Sequence, residues 1–117
     1  MTTVWKSIDG SAYEFTPHIY ECDWTDVAGV YLFAARLPNG DWNPLFIGQA
    51  DNFKRRIPGH EKWQWAALLG ATHILACAVP AQAKRLSVEI EMIARLKPPL
   101  NSTPVGKPRD GTMLRRA

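Results

Sequence analysis

The sequence predicts an α/β (α+β) fold in which one three-stranded β-sheet is flanked by α-helices, in the order β-β-α-α-β-α after an N-terminal extension. Three short apolar runs bounded by turn residues predict the strands, and capping and breaking residues predict helices between and after them. The 117 residues are 46% hydrophobic and 21% charged, which is typical of a single packed domain. We expect residues 1–26 to form the extension, 27–101 the folded domain and 102–117 a flexible basic tail.

The first two strands are predicted to pair as a hairpin over residues 27–50. Residues 27–34 (VAGVYLFA) form an apolar and aromatic run that is typical of a buried strand. Asn39-Gly40 is a turn signal, and residues 45–48 (LFIG) are predicted to form the return strand. Upstream, residues 1–26 are interpreted as an irregular lead-in with a short hairpin that Pro17 ends.

The remaining elements are predicted from residues that begin or end helices. Asp51 is a candidate N-cap, and Pro58-Gly59 interrupts the helix that it begins. Gly70 and Pro98-Pro99 are helix stops. The predicted elements are a helix over residues 52–57, a helix over 61–69, a strand over 72–79 and a long helix over 81–97.

The charge is distributed unevenly along the chain. Residues 1–51 hold seven acidic and two basic side chains, a net charge of −5, whereas residues 52–117 hold twelve basic and four acidic side chains, a net charge of +8. A basic half in a chain with a pI of 9.1 favours a polyanionic partner such as nucleic acid. An ordinary solvated surface is the alternative interpretation.

The sequence contains no secretory leader motif and no apolar run of the roughly 20 residues needed to span a bilayer. We therefore expect a cytoplasmic protein with no membrane partner. Cys22 and Cys77 belong to no CxxC or Cys/His cluster, so neither a zinc site nor a disulfide is expected. The sequence does not indicate an oligomeric state.

Two tripeptides in the predicted hairpin suggest a family. Gly29-Val30-Tyr31 and Phe46-Ile47-Gly48 resemble the paired motifs of the GIY-YIG nucleases. The stretch from Gly48 to Arg56, with His60 four residues later, and residues 89–101 (EIEMIARLKPPLN) resemble further segments of that family in the same order. The resemblance covers residues 27–101. It implies a GIY-YIG-type fold and a metal-dependent endonuclease that hydrolyses nucleic acid, DNA rather than RNA, with one divalent ion, Mg²⁺ or Mn²⁺.

The resemblance also implies a role for each matched residue. Glu89 would hold the metal ion, and Tyr31 would activate the attacking water. Arg56 would stabilise the transition state, because its planar fork suits phosphate oxygens. His60 would assist as an acid or base, unless it caps the second helix, and Asn101 would hold the metal site or the phosphate. Candidate substrate-binding residues are Gly48, whose lack of a side chain would let a phosphate approach, together with Gln49, Arg55 and Arg85.

The helical spacing supplies a physical reason to single out Glu89. Glu89 is predicted to share the inward face of the long helix with Ile93, Leu96 and Leu100, where a carboxylate is costly unless it has a partner. The alternative is a residue at the edge of that face paired with Arg85. Glu91 lies about 200° around the helix and is expected to face water.

Two positions depart from the family pattern. Phe46 replaces the usual tyrosine of the second motif and lacks its hydroxyl, and Gln49 lies where some members have lysine. These departures leave open a catalytically weak or inactive nucleic-acid-binding module on the same fold, or a protein-interaction domain. Trp63 and Trp65 could stack on bases, or they could belong to the core.

Overall fold

A computed structural model of the protein describes residues 2–101, so the predicted basic tail lies outside the described residues. The structure is an α+β fold, as predicted, with one main helix on a five-stranded antiparallel sheet. The strands are β1 (Thr3–Lys6), β2 (Ala12–His18), β3 (Gly29–Arg36), β4 (Trp42–Ala50) and β5 (His73–Ala78), and the helices are α1 (Phe53–Arg56), α2 (Trp63–Leu68) and α3 (Gln82–Leu96), followed by a 3₁₀ helix at Pro99–Asn101.

The prediction of a three-stranded sheet was wrong, because the first 18 residues supply two further strands. The strand order is β1-β2-β5-β3-β4, so β2 pairs with the third predicted strand. Pro17 lies inside β2 instead of ending it. β1 pairs only with residues 12–15, so Pro17 has a strand neighbour on one side alone, where a missing N–H is tolerated.

The predicted hairpin is present as β3 and β4. The register shifts after Phe33, which pairs with Phe46, because Ala34 then pairs with Pro44 and Leu45 is left over. This β-bulge accommodates Pro44 on an edge strand, where proline is tolerated. The turn at residues 37–41 closes with a bond from the Leu37 N–H to the Asp41 carbonyl at 2.8 Å.

The helices lie where the breaking residues predicted them, but α1 has a different cap. The side chain of Asn52, not that of Asp51, accepts a hydrogen bond from the Arg55 N–H at 3.1 Å. Asn52 has the extended backbone of an N-cap, with φ −161° and ψ 109°. At the far end of α3, Lys97 takes a left-handed conformation with φ 48°, which ends the helix before Pro98.

Alternation along β3 divides the core between the two faces of the sheet. Tyr31 and Phe33 point to the face covered by α1 and α2, which we call the α1/α2 face. Val30 and Leu32 point to the opposite face, covered by α3, which we call the α3 face. Because β3 lies inside the sheet and both faces are covered, six consecutive residues, 29–34, are buried.

The inward face of α3 is rotated from the predicted one. Its buried residues are Arg85, Val88 and Met92, whereas Leu96 is 37% exposed. Glu89 lies half-buried at the edge of this stripe. The prediction failed because it put Glu89 on the inward face and took Arg85 as a substrate-binding residue, whereas the alternative position at the edge of that face agrees with the structure. None of the described helices is long and apolar enough to cross a membrane.

Glu91 does not face water as predicted, and its side chain is 14% exposed. It accepts hydrogen bonds from the Ser7 hydroxyl and the Ile8 N–H, each at 2.8 Å. The turn between β1 and β2 packs on this side of α3. The error follows from the same cause as the wrong strand count, since the predicted N-terminal hairpin was not expected to join the sheet and cover the helix.

Candidate active site around the Tyr31 hydroxyl

The Tyr31 side chain packs directly on the backbone of the edge strand β4, because its pairing partner on that strand is a glycine. Tyr31 on β3 pairs with Gly48 on β4. A Cβ on residue 48 would lie 2.5 Å from the Tyr31 hydroxyl oxygen and 2.6 Å from Cζ. Any side chain at this position would therefore displace the ring. The resemblance suggested that Gly48 makes room for a phosphate, but the observed close approach is to Tyr31.

His60 holds the Tyr31 hydroxyl from the α1/α2 side. It is 3% exposed, and its Nε2 lies 2.8 Å from the Tyr31 hydroxyl oxygen. The Lys62 N–H donates to Nδ1 at 3.0 Å, so the neutral ring carries its hydrogen on Nε2 and donates it to Tyr31. The side chain thus contacts both Tyr31 and the start of α2. Burial, with the nearby Arg56 charge, lowers the pKa of His60 to about 4 and keeps the ring neutral.

Burial and three charged side chains determine the pKa of the Tyr31 hydroxyl. Burial has the largest effect and raises this pKa well above the usual value. Arg56 favours the ionised form, while the negative charges of Glu89 and Glu61 oppose it. Tyr31 therefore keeps its proton at neutral pH in the ligand-free chain. The base role that the resemblance implies requires additional positive charge beside the hydroxyl.

Arg56 is already engaged by a carboxylate. Its two terminal nitrogens each donate to an oxygen of Glu61 at 3.0 Å, forming a planar bidentate pair. This pairing lowers the pKa of Glu61 to about 2. The Arg56 side chain is 42% exposed and that of Glu61 is 67% exposed, so solvent and solutes reach the pair.

Glu61 was missed by the sequence analysis, which treated it only as the start of a helix. The available signal was local: a carboxylate lies five residues after Arg56, across a turn at Pro58-Gly59 where Gly59 has φ +74°. Such a turn reverses the chain and can return an acidic side chain to the arginine.

Glu89 approaches the site from α3. It is half-buried, and burial raises its pKa. Its charge also raises the pKa of Tyr31. Glu89 makes no hydrogen bond or ion pair with any residue of the described chain. The alternative pairing with Arg85 is not formed.

Arg85 and Gln49, both predicted to bind substrate, are hydrogen-bonded to each other on the α3 face. Arg85 is 5% exposed, and its Nε donates to the Gln49 side-chain oxygen at 3.1 Å. It also donates to the carbonyls of Pro80 at 2.9 Å and Val79 at 3.3 Å. Because these donors join α3 to the ends of β4 and β5, Arg85 is a structural residue. Its burial removes it from the exposed basic surface.

Asn101 holds the edge of the sheet next to Gly48. Its side-chain oxygen accepts from the Ile47 N–H and its amide donates to the Ile47 carbonyl, both at 2.7 Å. The side chain thereby pairs with β4 much as another strand would. The resemblance implied that Asn101 holds the metal site or phosphate directly, but the observed contacts make it a positioning residue for the strand that carries Gly48. Arg55, by contrast, is exposed and lies 3.7 Å from Asp51.

Residues 2–101 contain no group of three His, Cys, Asp or Glu side chains that could hold a metal. The unpartnered, half-buried carboxylate of Glu89 nevertheless fits the sparse protein ligation that Mg²⁺ tolerates, in which water fills the other positions. Glu89 is therefore the candidate ligand.

Of the five predicted catalytic side chains, Tyr31 and His60 are in direct contact, and the charges of Arg56 and Glu89 act on the pKa of the Tyr31 hydroxyl. The structure adds Glu61 and assigns the fifth, Asn101, to the neighbouring strand edge. The chain matches no protein-family model, no curated protein and no solved structure.

Proposed function

We propose that this chain is a GIY-YIG-type domain that binds nucleic acid, DNA more readily than RNA, and hydrolyses its phosphodiester backbone with one divalent ion, Mg²⁺ or Mn²⁺. One observation carries the proposal: the buried Tyr31 hydroxyl bonds to His60 and is close enough to Arg56 and Glu89 for both charges to act on it. Phosphodiester hydrolysis needs an oriented water, charge neutralisation and proton transfer, and these are the groups that supply them.

The arrangement of strands is compatible with a GIY-YIG-type core inside the larger sheet. The segments that carry the matched motifs follow the family's order as β3, β4, α1, α2, β5 and α3. The added strands β1 and β2 extend the sheet on the side away from β4. β4, which carries Gly48, therefore remains an edge strand of the sheet.

Arg56 is the proposed phosphate-binding group. Its bidentate pair with Glu61 demonstrates that both terminal nitrogens can face one planar oxygen pair. Phosphate oxygens match the same geometry and carry more charge. In the proposal a phosphate replaces Glu61 on the guanidinium, and the exposure of the pair makes that exchange possible.

Tyr31 is proposed to take the proton of the attacking water as its phenolate, after its own proton has passed to solvent, while His60 donates a hydrogen bond to the same oxygen. Neutralising Glu89 would remove one of the charges that raise the pKa of Tyr31. Arg56 acts in the same direction, and together they would bring the hydroxyl closer to base chemistry.

Glu89 is proposed to hold the divalent ion. When bound, the ion would supply fixed positive charge beside the phosphate. The half-buried carboxylate reaches the site from α3 and has no partner among residues 2–101 that a cation would have to displace. The exposed bases of α1, Lys54 and Arg55, would contact backbone phosphates without reading sequence.

A second candidate function is nucleic-acid binding without cleavage. Phe46 is the observation that favours it, because this ring packs against His60 at a centroid distance of 5.2 Å where the family has a tyrosine. The position therefore provides packing but no hydroxyl to orient water. A protein-interaction domain is the third candidate, and it would not require the bases on α1.

A cleavage and binding assay tests the proposal. Purified protein is incubated with single-stranded, duplex and branched DNA and RNA in Mg²⁺, Mn²⁺ or EDTA, beside Glu89→Gln and a surface control, Glu14→Gln. We expect cleavage that requires metal and falls at least a hundredfold in Glu89→Gln, with binding retained, while Glu14→Gln resembles the wild type.

Every other outcome of the assay contradicts part of the proposal. Cleavage that persists in EDTA or in Glu89→Gln would refute the assigned chemistry. Salt-sensitive binding without cleavage in either metal would favour the binding module. If the chain binds none of the nucleic acids, the third candidate function, a protein-interaction domain, is favoured.

A further inference from the structure

The two tryptophans of α2 have opposite environments. Trp63 stacks on Tyr20 with a centroid distance of 4.7 Å and an interplanar angle of 2°, and its edge packs on Phe33 at 5.2 Å. Trp65 lies on the other side of the helix and is 53% exposed. The structure therefore answers the question left open by the sequence: Trp63 belongs to the core, and Trp65 presents its ring to solvent.

Trp65 is the centre of an exposed apolar patch. Leu68 is 77% exposed and Leu69 is 53% exposed, and both lie about one turn further along the chain. Lys62 lies one turn before Trp65 on the same side. We call Lys62, Trp65, Leu68 and Leu69 the α2 patch. A planar ring beside a cation and two aliphatic side chains offers both stacking and charge to a ligand.

Hydrogen bonds connect the beginning of the α2 patch to the candidate active site. The Lys62 N–H donates to Nδ1 of His60, and Glu61 holds Arg56 through its bidentate pair. Trp65 is four residues from Glu61 in the chain, and α2 begins between them at Trp63. The proposed phosphate-binding residue and the exposed ring therefore belong to one short segment, residues 56–65.

The charge around the patch favours a negatively charged partner. Residues 51–70 carry four basic and two acidic side chains, whereas residues 2–50 carry two basic and six acidic ones. The segment that carries the exposed ring therefore has a net charge of +2, four basic against two acidic side chains. Nucleic acid combines the two complementary features, a charged backbone and flat apolar bases.

We propose that Trp65 stacks on an unpaired base of single-stranded nucleic acid whose neighbouring phosphate is bound by Arg56. This inference rests on the proposed function and specifies its substrate: a strand with unstacked bases, either single-stranded or at a junction. In an intact duplex the base faces are covered by their neighbours, so the ring has nothing to stack on. The patch then selects substrate structure rather than sequence, because every base has a flat face.

Oligonucleotide binding in EDTA tests the proposal apart from cleavage. The affinities for a labelled single-stranded 12-mer and for a blunt hairpin duplex are measured for the wild type, Trp65→Ala, Trp65→Phe and the control Ile90→Ala. Ile90 is a matched control because it is 66% exposed on α3, away from the patch. Circular dichroism verifies that each variant is folded.

We expect Trp65→Ala to weaken single-strand binding roughly tenfold, in line with stacking of one base, and to leave duplex binding unchanged. Trp65→Phe should keep part of the affinity, and Ile90→Ala should keep all of it. An equal loss for both nucleic acids, or no loss, would overturn the proposal. No loss is also the result expected if the patch instead docks another protein.

The failure of this inference can be distinguished from failure of the proposed function. A wild type that cleaves with metal, together with an unaltered Trp65→Ala, would refute the stacking role alone. Single-strand binding that depends on Trp65, without cleavage in Mg²⁺ or Mn²⁺, would refute the catalytic proposal alone. A wild type that binds neither oligonucleotide would refute both.

Discussion

The Tyr31 hydroxyl oxygen accepts a hydrogen bond from Nε2 of His60 at 2.8 Å, and the other ring nitrogen determines the direction of that bond. Nδ1 accepts from the Lys62 N–H, so the neutral imidazole has its hydrogen on Nε2. Both groups are almost fully buried. The pair therefore has one defined proton arrangement, in which His60 donates and the Tyr31 oxygen accepts.

Tyr31→Phe should reduce both stability and cleavage. Removing the hydroxyl leaves the buried Nε2–H of His60 without an acceptor, which costs about 1–3 kcal/mol of unfolding free energy. Urea denaturation measures the stability, and the cleavage assay measures the activity. Tyr13→Phe, which removes a hydroxyl from a half-buried ring outside the site, is the control. Full cleavage by Tyr31→Phe would show that the hydroxyl has no part in the reaction.

His60 should make the protein less stable in mild acid. Its pKa falls from 6.5 in the unfolded chain to about 4 in the folded one, so between these pH values only the unfolded state binds the proton. Stability contributed by the neutral ring is complete above pH 6.5 and is lost as the pH falls towards 4, by roughly 3 kcal/mol in all.

The pH dependence is measured by urea denaturation at intervals from pH 7 to pH 4. In His60→Gln, the unfolding free energy should depend less steeply on pH, because one proton fewer is bound on unfolding. In His73→Gln, at a half-buried position on β5, the dependence should be unchanged. Identical slopes for the wild type and His60→Gln would contradict the burial of a neutral His60.

Glu61→Gln should strengthen the binding of oligonucleotides. The carboxylate occupies both terminal nitrogens of Arg56, and its removal frees them for phosphate and deletes one negative charge. Since the ion pair is exposed, we expect an increase in affinity of roughly two- to fivefold at moderate salt. Fluorescence anisotropy in EDTA measures it. If Glu61→Gln weakens binding as Arg56→Ala does, Glu61 positions the arginine and does not compete with phosphate.

Asn101→Leu should destabilise the sheet edge by about 1–2 kcal/mol, because two hydrogen bonds to Ile47 are lost. Asn43→Leu is the control, since this exposed residue lies on the same strand. Chemical denaturation compares the two variants. If Asn101 acts only by positioning β4, its loss should reduce cleavage without changing the metal concentration that gives half-maximal rate. A large shift in that concentration would instead support direct contact with the metal site.

Local sequence patterns predicted the elements that carry the site. The apolar run at residues 27–34, the Asn39-Gly40 turn and the proline and glycine stops predicted a hairpin, three helices and a strand at nearly their observed positions. These signals succeed because strand alternation, turn conformation and helix capping depend on residues within a few positions of one another.

Errors occurred where a distant segment changed the surroundings of a residue. Pro17 lies in a strand because β1 leaves one of its sides open, and Glu91 is covered because Ser7, 84 residues away, packs against it. Arg85 is buried because Gln49 and two carbonyls at the sheet end satisfy its donors. Local periodicity contains no information about which of these segments meet.

The sequence by itself therefore determined the α+β class, the hairpin that pairs Tyr31 with Gly48, and the candidate site residues other than Glu61. Only the tertiary structure decided that His60 is neutral, that Asn101 holds a strand edge and that Trp65, unlike Trp63, is exposed. The physical reason is that proton positions, burial and side-chain partners depend on the packing of elements distant in the chain, whereas element identity depends on residues close together.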